Sequence, residues 1–155
     1  MLHPFRVGDY IIESTYQHEG IVQEITIFYT RLATLDNRTI LVPNGTLADT
    51  SIVNVTGVEK RRIELKLRIS YSEDVDAVKK VLYDTVIQNE RICKEEEIFV
   101  YIDDFAESFL ILSLRCWAVT EDFWMARCQL MEDVKRALDR NHITIQVPQI
   151  EVHTN

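Results

Sequence analysis

His3, His18, His142 and His153 are the side chains best suited to hold a transition metal or shuttle a proton. No two stand four residues apart and none has a cysteine or aspartate at ligand spacing, so the clustered donors of a metal site are missing. Asp103-Asp104 and Glu95-Glu96-Glu97 offer paired carboxylates for acid–base work. Neither comes with a nucleophile, and a solvated turn and a helix-to-strand loop account for them. Ser51, Ser72 and Ser108 lack the G-x-S-x-G setting of an exposed nucleophile. Cys128 falls beside Leu130 and Met131 in a helical pattern, as a buried or partly buried thiol does. The chain has only 4 glycines and no glycine-rich phosphate loop. These residues point to no catalytic site, no cofactor and no metal, and so to a protein that is not an enzyme.

Composition narrows the classes further. A chain of 155 residues that is 46% hydrophobic is long enough for one folded unit or two small ones that lean on each other. Formal charge is -8, with 3 basic and 6 acidic residues through Gly57 and 14 basic and 19 acidic beyond it. Neither half is basic, which argues against a surface that tracks nucleic-acid phosphates. The thiols Cys93, Cys116 and Cys128 have no CxxC spacing and leave one unpaired, so a reducing compartment is expected. No stretch reaches the roughly 20 apolar residues that span a bilayer, so this chain reads as soluble.

The elements follow from periodicity and punctuation. Tyr10-Ile11-Ile12 is β-prone, His18-Glu19-Gly20 punctuates, and Ile21 to Leu32 reads as one long strand. Asp36-Asn37 suits a tight hairpin turn before the short run Thr39-Ile40-Leu41-Val42. Pro43-Asn44-Gly45 then stops the run as a structural turn in which Asn-Gly accepts positive φ, and Ile52-Val53-Asn54-Val55 resumes as strand. So small a sheet needs barrel closure or a neighbour's edge. Gly57-Val58-Glu59-Lys60 is the expected boundary. Beyond it Arg62 to Tyr71 alternates polar and apolar without a slip. Ser72-Glu73-Asp74 can cap a helix carrying Val75, Val78, Leu82 and Val86 to about Asn89. Glu97 to Asp103 reads as a strand, Asp103 to Glu107 as a turn, and Ser108 to Val119 as a central strand apolar on both faces. Phe123, Ala126, Arg127, Leu130, Val134 and Leu138 mark a second helix that Asn141 can end in the left-handed conformation, and Ile143-Thr144-Ile145 returns as strand. From Arg62 the order is β-α-β-β-α-β, a ferredoxin-like layer of helices on a sheet. Pro148 breaks out of that sheet, and Gln149 to His153 alternates as a tail strand with no partner in its own domain.

Several ordered segments carry a resemblance across nearly all of the chain. They are Pro4 to Ile11, Gly20 to Ile25, Phe28 to Thr34, Pro43-Asn44-Gly45, Ile52 to Thr56, Arg61-Arg62, Tyr71 to Asp76 and Val147 to His153. In that order and spacing they resemble the cytoplasmic region of the mechanosensitive channel of small conductance family. The resemblance implies an α+β chain with an Sm-like all-β barrel over residues 1–57 and a ferredoxin-like domain over 58–147. Residues 148–155 would be a C-terminal strand that joins its equivalents through Pro148, Gln149, Ile150 and Val152. It implies a homo-oligomer, a heptamer, forming a cage that assembles the subunits and sieves permeating ions and osmolytes. The parent would be a tension-gated pore in the prokaryotic inner membrane with this region on the cytoplasmic side. Contact with the lipid bilayer would come only through transmembrane helices absent here, as in a fragment cut at the membrane exit. Gly57, Glu59, Lys60, Arg61 and Arg62 would lie near side portals. The plainer account of Arg61-Arg62 is pairing with local acids such as Glu59 or Glu64. Two rival readings remain: a stand-alone oligomeric module that binds a small effector, tested by a metabolite that raises thermal stability, and an Sm-like nucleic-acid ring, disfavoured by acidity.

Overall fold

The computed structural model describes residues 4–145. The chain divides into two compact units, residues 1–59 and 60–155.

The first unit is an antiparallel meander of β1 (Tyr10–Glu13), β2 (Glu19–Ile25), β3 (Tyr29–Ala33), β4 (Thr39–Pro43), a helical turn α1 (Asn44–Ala48) and β5 (Ile52–Asn54). Its sheet order is β4-β3-β2-β1-β5, the Sm-like order in which the last strand returns to the first. The sheet ends at β4 and β5, with no ladder joining the two among the described residues. Phe5, Ile11, Val22, Leu32, Val42 and Leu47 form the core, about one residue per element, as alternating strands that wet one face require. Gly20 permits the approach of β3 to β2, since a β-carbon there would lie 2.5 Å from the Ala33 carbonyl oxygen.

Two local expectations are corrected here. The long strand Ile21 to Leu32 is a hairpin, β2 and β3, broken at Thr26. Thr26 makes that turn without glycine or proline: its hydroxyl donates to the Tyr29 carbonyl at 2.9 Å and accepts from the Tyr29 N–H at 3.1 Å. Pro43-Asn44-Gly45 is not a positive-φ turn: Pro43 ends β4 as the N-cap of α1, and Asn44 and Gly45 are helical. The left-handed residues of this unit are Gly8, Gln17 and Asn37, the last within the turn expected at Asp36-Asn37.

The second unit contains β6 (Lys60–Ile69), α2 (Val75–Gln88), β7 (Phe99–Phe105), β8 (Leu110–Val119) and α3 (Phe123–Arg140). The sheet order is β6-β8-β7, all antiparallel, so α2 connects two strands between which β8 later inserts. That is the ferredoxin-like split β-α-β arrangement, with a fourth strand reduced among the described residues to the bridge Ile69–Ile145. Asp74 caps α2 by accepting from the Asp76 and Ala77 amides, and Val78, Leu82 and Val86 bury against the sheet. Leu110, Leu112, Leu114, Cys116 and Ala118 face the helices from β8, while Ala126, Leu130, Val134 and Leu138 close the layer from α3.

Asp103 and Asp104 are not in the turn between β7 and β8. Both lie in β7, where the register shifts between Ile102 and Asp104, and the reversal falls at Ala106–Phe109. The left-handed residue ending α3 is His142, φ 57°, rather than Asn141, whose amide instead returns to the Ala137 carbonyl at 2.8 Å. The tail residues Pro148, Gln149, Ile150 and Val152, with His3 and His153, lie outside the described residues.

Candidate functional site: sheet edges and charged linker

Asn44 is the strut of the first unit. Its side-chain nitrogen donates to the Thr26 carbonyl at 2.7 Å, and its side-chain oxygen accepts from the Thr30 hydroxyl at 2.9 Å. Its backbone N–H donates to the Phe28 carbonyl at 2.9 Å. All three bonds end on the β2–β3 hairpin, so α1 fixes that hairpin's tip. The tip carries Ile27 and Phe28, 83% and 80% exposed. Sequence reasoning read Asn44 as a turn former; its hydrogen-bond reach to residues 14 and 18 positions away leaves no local signal.

The two ends of the sheet are apolar as well as unpaired. Leu41 on β4 is 58% exposed and Val53 on β5 is 52% exposed, each on a strand whose outer backbone groups have no ladder partner in the described chain. Isolated monomers cover or charge such edges; these present Thr39-Ile40-Leu41-Val42 and Ile52-Val53-Asn54 without a lysine. Clasps at both ends seat β5. Asp9 accepts from the Arg6 amide at 2.8 Å and the Asn54 side chain at 2.9 Å, and its other oxygen lies 3.3 Å from the Thr56 hydroxyl. These bonds, above all the one from the Arg6 amide, hold the Asp9 carboxyl below its ordinary value.

The linker residues separate into tied and free. Gly57 and Glu59 are exposed in the first unit. In the second, Lys60 Nζ is gripped by Glu95 at 3.1 Å and Glu96 at 3.0 Å, which raises its pKa and ties the start of β6 to the α2–β7 loop. Arg61 stacks its guanidinium 3.7 Å over the Phe123 ring. Arg62 is exposed and pairs with Glu64 at 3.7 Å, the local-acid pairing expected of it. Glu59 and Arg62 are thus the linker charges open to solvent.

The remaining chemistry-bearing groups do not converge. Among the described residues no three His, Cys, Asp or Glu side chains gather around a common point. Cys116 is buried in β8, and burial pushes its thiol up to about 12. Cys93 and Cys128 are half-buried and unbridged. No helix of the described residues is long and apolar enough to cross a membrane.

Two antiparallel units, one Sm-like with open sheet edges and one ferredoxin-like, define the fold class of the described residues. The comparisons specify it. Residues 1–57 match the family model described as mechanosensitive ion channel, beta-domain, and residues 63–145 match mechanosensitive ion channel MscS, C-terminal. The linker 58–62 falls between the two matches. The chain is 39% identical over 153 residues to a small-conductance mechanosensitive channel of Edwardsiella ictaluri, covering 99% of this chain and 53% of that protein. It is 36% identical to that of Helicobacter pylori, covering 98% of this chain and 55% of that protein. Its fold superposes on the crystal structure of Helicobacter pylori MscS in the closed state with a TM-score of 0.87, at 35% identity, covering 99% of this chain and 60% of that one. The chain belongs to the MscS family of mechanosensitive ion channels, a family of channels rather than enzymes. It spans about half the length of the curated relatives it matches.

Proposed function

We propose that this chain is the cytoplasmic vestibule of a small-conductance mechanosensitive channel, a membrane pore that opens under tension and releases ions and osmolytes on hypo-osmotic shock. In this reading the chain supplies subunit assembly and solute filtering, not the gate, and the parent protein sits in a prokaryotic inner membrane. Residues 1–57 form the ring-building domain, 58–147 the outer wall, and 148–155 a strand through which Pro148, Gln149, Ile150 and Val152 join their equivalents. The observation that carries the reading is the pair of unpaired, apolar edges β4 and β5, at opposite ends of one sheet. An edge at each end is what a head-to-tail ring requires: β4 of one copy pairs with β5 of the next, and every copy makes the same contact. Of the proposed portal residues Gly57, Glu59, Lys60, Arg61 and Arg62, only Glu59 and Arg62 carry charge in the open, so they bias which solutes enter.

Native mass spectrometry of the chain tests the assembly. A discrete particle near seven chain masses, lost in Leu41→Lys and in Val53→Lys, supports the ring; a wild-type monomer overturns it for this chain. For filtering, conductance in the full-length channel carrying Glu59→Gln or Arg62→Gln is compared with wild type, and unchanged ion partitioning removes the portal role.

A further inference from the structure

Glu13, the last residue of β1, is completely buried although it carries a carboxylate. Its partners are the backbone of the turn that follows. The Thr15 amide donates at 2.9 Å, the Tyr16 amide at 3.0 and 3.1 Å to the two oxygens, and the His18 amide at 3.0 Å. His18 Nδ1 lies 3.1 Å from the same carboxylate. The turn thus wraps its own anion, and the left-handed Gln17, φ 61°, bends the backbone around it. Although burial opposes the charge, the converging amides leave the Glu13 carboxyl below its ordinary value.

The wrapped turn also reaches β5. Ser14 donates its amide and its hydroxyl to the Ser51 carbonyl, both at 3.0 Å. The Thr15 amide and hydroxyl meet the Thr50 hydroxyl at 3.1 and 2.7 Å. At the other end of β1, Asp9 holds Asn54 and Thr56. Between these clasps β5 pairs with β1 at Ile11–Asn54, Ile12–Val53 and Glu13–Ile52, and the Val55 amide adds one bond to the Tyr10 carbonyl at 2.9 Å. So short a ladder is weak alone.

We propose that Asp9 and Glu13 form a two-point carboxylate latch that seats β5 as a docking edge, and that acid releases this edge. Glu13 and Asp9 here are positioning residues, acting through the turn and through Asn54. The inference rests on the reading of β5 as an assembly edge, but the seating of β5 is measured within one chain. The charged and titratable groups around the latch are His18 against Glu13, then Tyr10, Glu19, Asp36 and Arg38 across the cleft that His18 lines, Asp49 beside Thr50, and Arg6 beside Asp9. Both carboxyls are depressed in the folded chain. Their stabilisation is therefore present above the unfolded carboxylate values and lost as pH falls through the folded ones, a window below about pH 4.

The test is amide hydrogen exchange of the 155-residue chain, as protection factors for Thr15, Tyr16, His18 and β5, in wild type, Glu13→Gln, Asp9→Asn and Thr15→Val. Wild type is expected to lose β5 protection at least tenfold on acidification into that window, ahead of β2 and β3. Glu13→Gln loses the turn amides and β5 together at neutral pH, whereas Thr15→Val keeps the Tyr16 and His18 amides protected and loosens only β5. Asp9→Asn, which leaves the wrapped turn intact, gives the same loosening of β5 should Glu13→Gln fail to fold. Unchanged β5 protection in Asp9→Asn and Thr15→Val, or β5 yielding to acid no earlier than β2 and β3, overturns the latch. A monomeric wild type with acid-sensitive β5 would retain the latch while removing the ring.

Discussion

Asn44 spends both ends of its side-chain amide on one hairpin, and truncating that side chain orphans an acceptor and a donor together. Asn44→Ala leaves the Thr26 carbonyl and the hydroxyl of the buried Thr30 without those partners, which costs about 1–3 kcal/mol in urea denaturation of the first unit. Asn44→Asp, which keeps the acceptor for Thr30 but sets a carboxylate oxygen against the Thr26 carbonyl, costs at least as much. A second prediction concerns thiols. With Cys116 buried and its pKa pushed up to about 12, a thiol reagent at pH 8 labels at most Cys93 and Cys128 in the folded chain and all three after denaturation. Rapid labelling of Cys116 in native protein would show that β8 opens. At this scale the sequence was legible where a residue acts on its neighbours, as with Asp74 capping α2 and Arg62 pairing with Glu64. Asn44 and Arg61 act across distance in the chain, and their types alone carry no sign of the partner; Glu13 acts on the next five residues, but through backbone amides that no side-chain pattern marks.

Elements were legible wherever one period ran uninterrupted. Arg62 to Tyr71 alternates cleanly and overlaps β6, which starts at Lys60 and ends at Ile69; Val75, Val78, Leu82 and Val86 recur at helical spacing and lie on α2. Errors fell where a turn used chemistry that strands also use. Thr26 is β-branched, so Ile21 to Leu32 looked continuous, and the acidic pair Asp103-Asp104 looked like a loop although a bulge carries it within β7. Close packing at these elements sets the next prediction. Gly20→Ala pushes a methyl against the Ala33 carbonyl and costs the first unit about 1–3 kcal/mol, seen as a lower denaturation midpoint. Leu112→Ala empties the fully buried centre of β8 and costs the second unit about 2–5 kcal/mol. Because each unit has its own core, spectroscopic probes placed in each resolve which midpoint has moved.

For the whole molecule, -8 charges per chain oppose any ring that the edges favour. Raising ionic strength from low to physiological shrinks the Debye length from about 30 to 8 Å and weakens that repulsion. The assembled fraction in light scattering is therefore expected to rise with salt; a fall would mean that ion pairs rather than apolar edges hold the copies together. The two-unit order and the family were readable from the succession of motifs, because each strand and turn type follows the last at fixed spacing.

The strand order of the second unit also governs how the chain leaves the ribosome. β6 emerges first and β7 some thirty to forty residues later, yet the two never touch; both wait for β8 to slide between them. Until about residue 119 is free of the exit tunnel, two apolar strands stand open at once, while the first unit has been complete since β5 emerged. Synthesis that stalls between β7 and β8 thus leaves a finished first unit tethered to an unzipped sheet, the interval in which nascent copies on one messenger are most prone to pair wrongly.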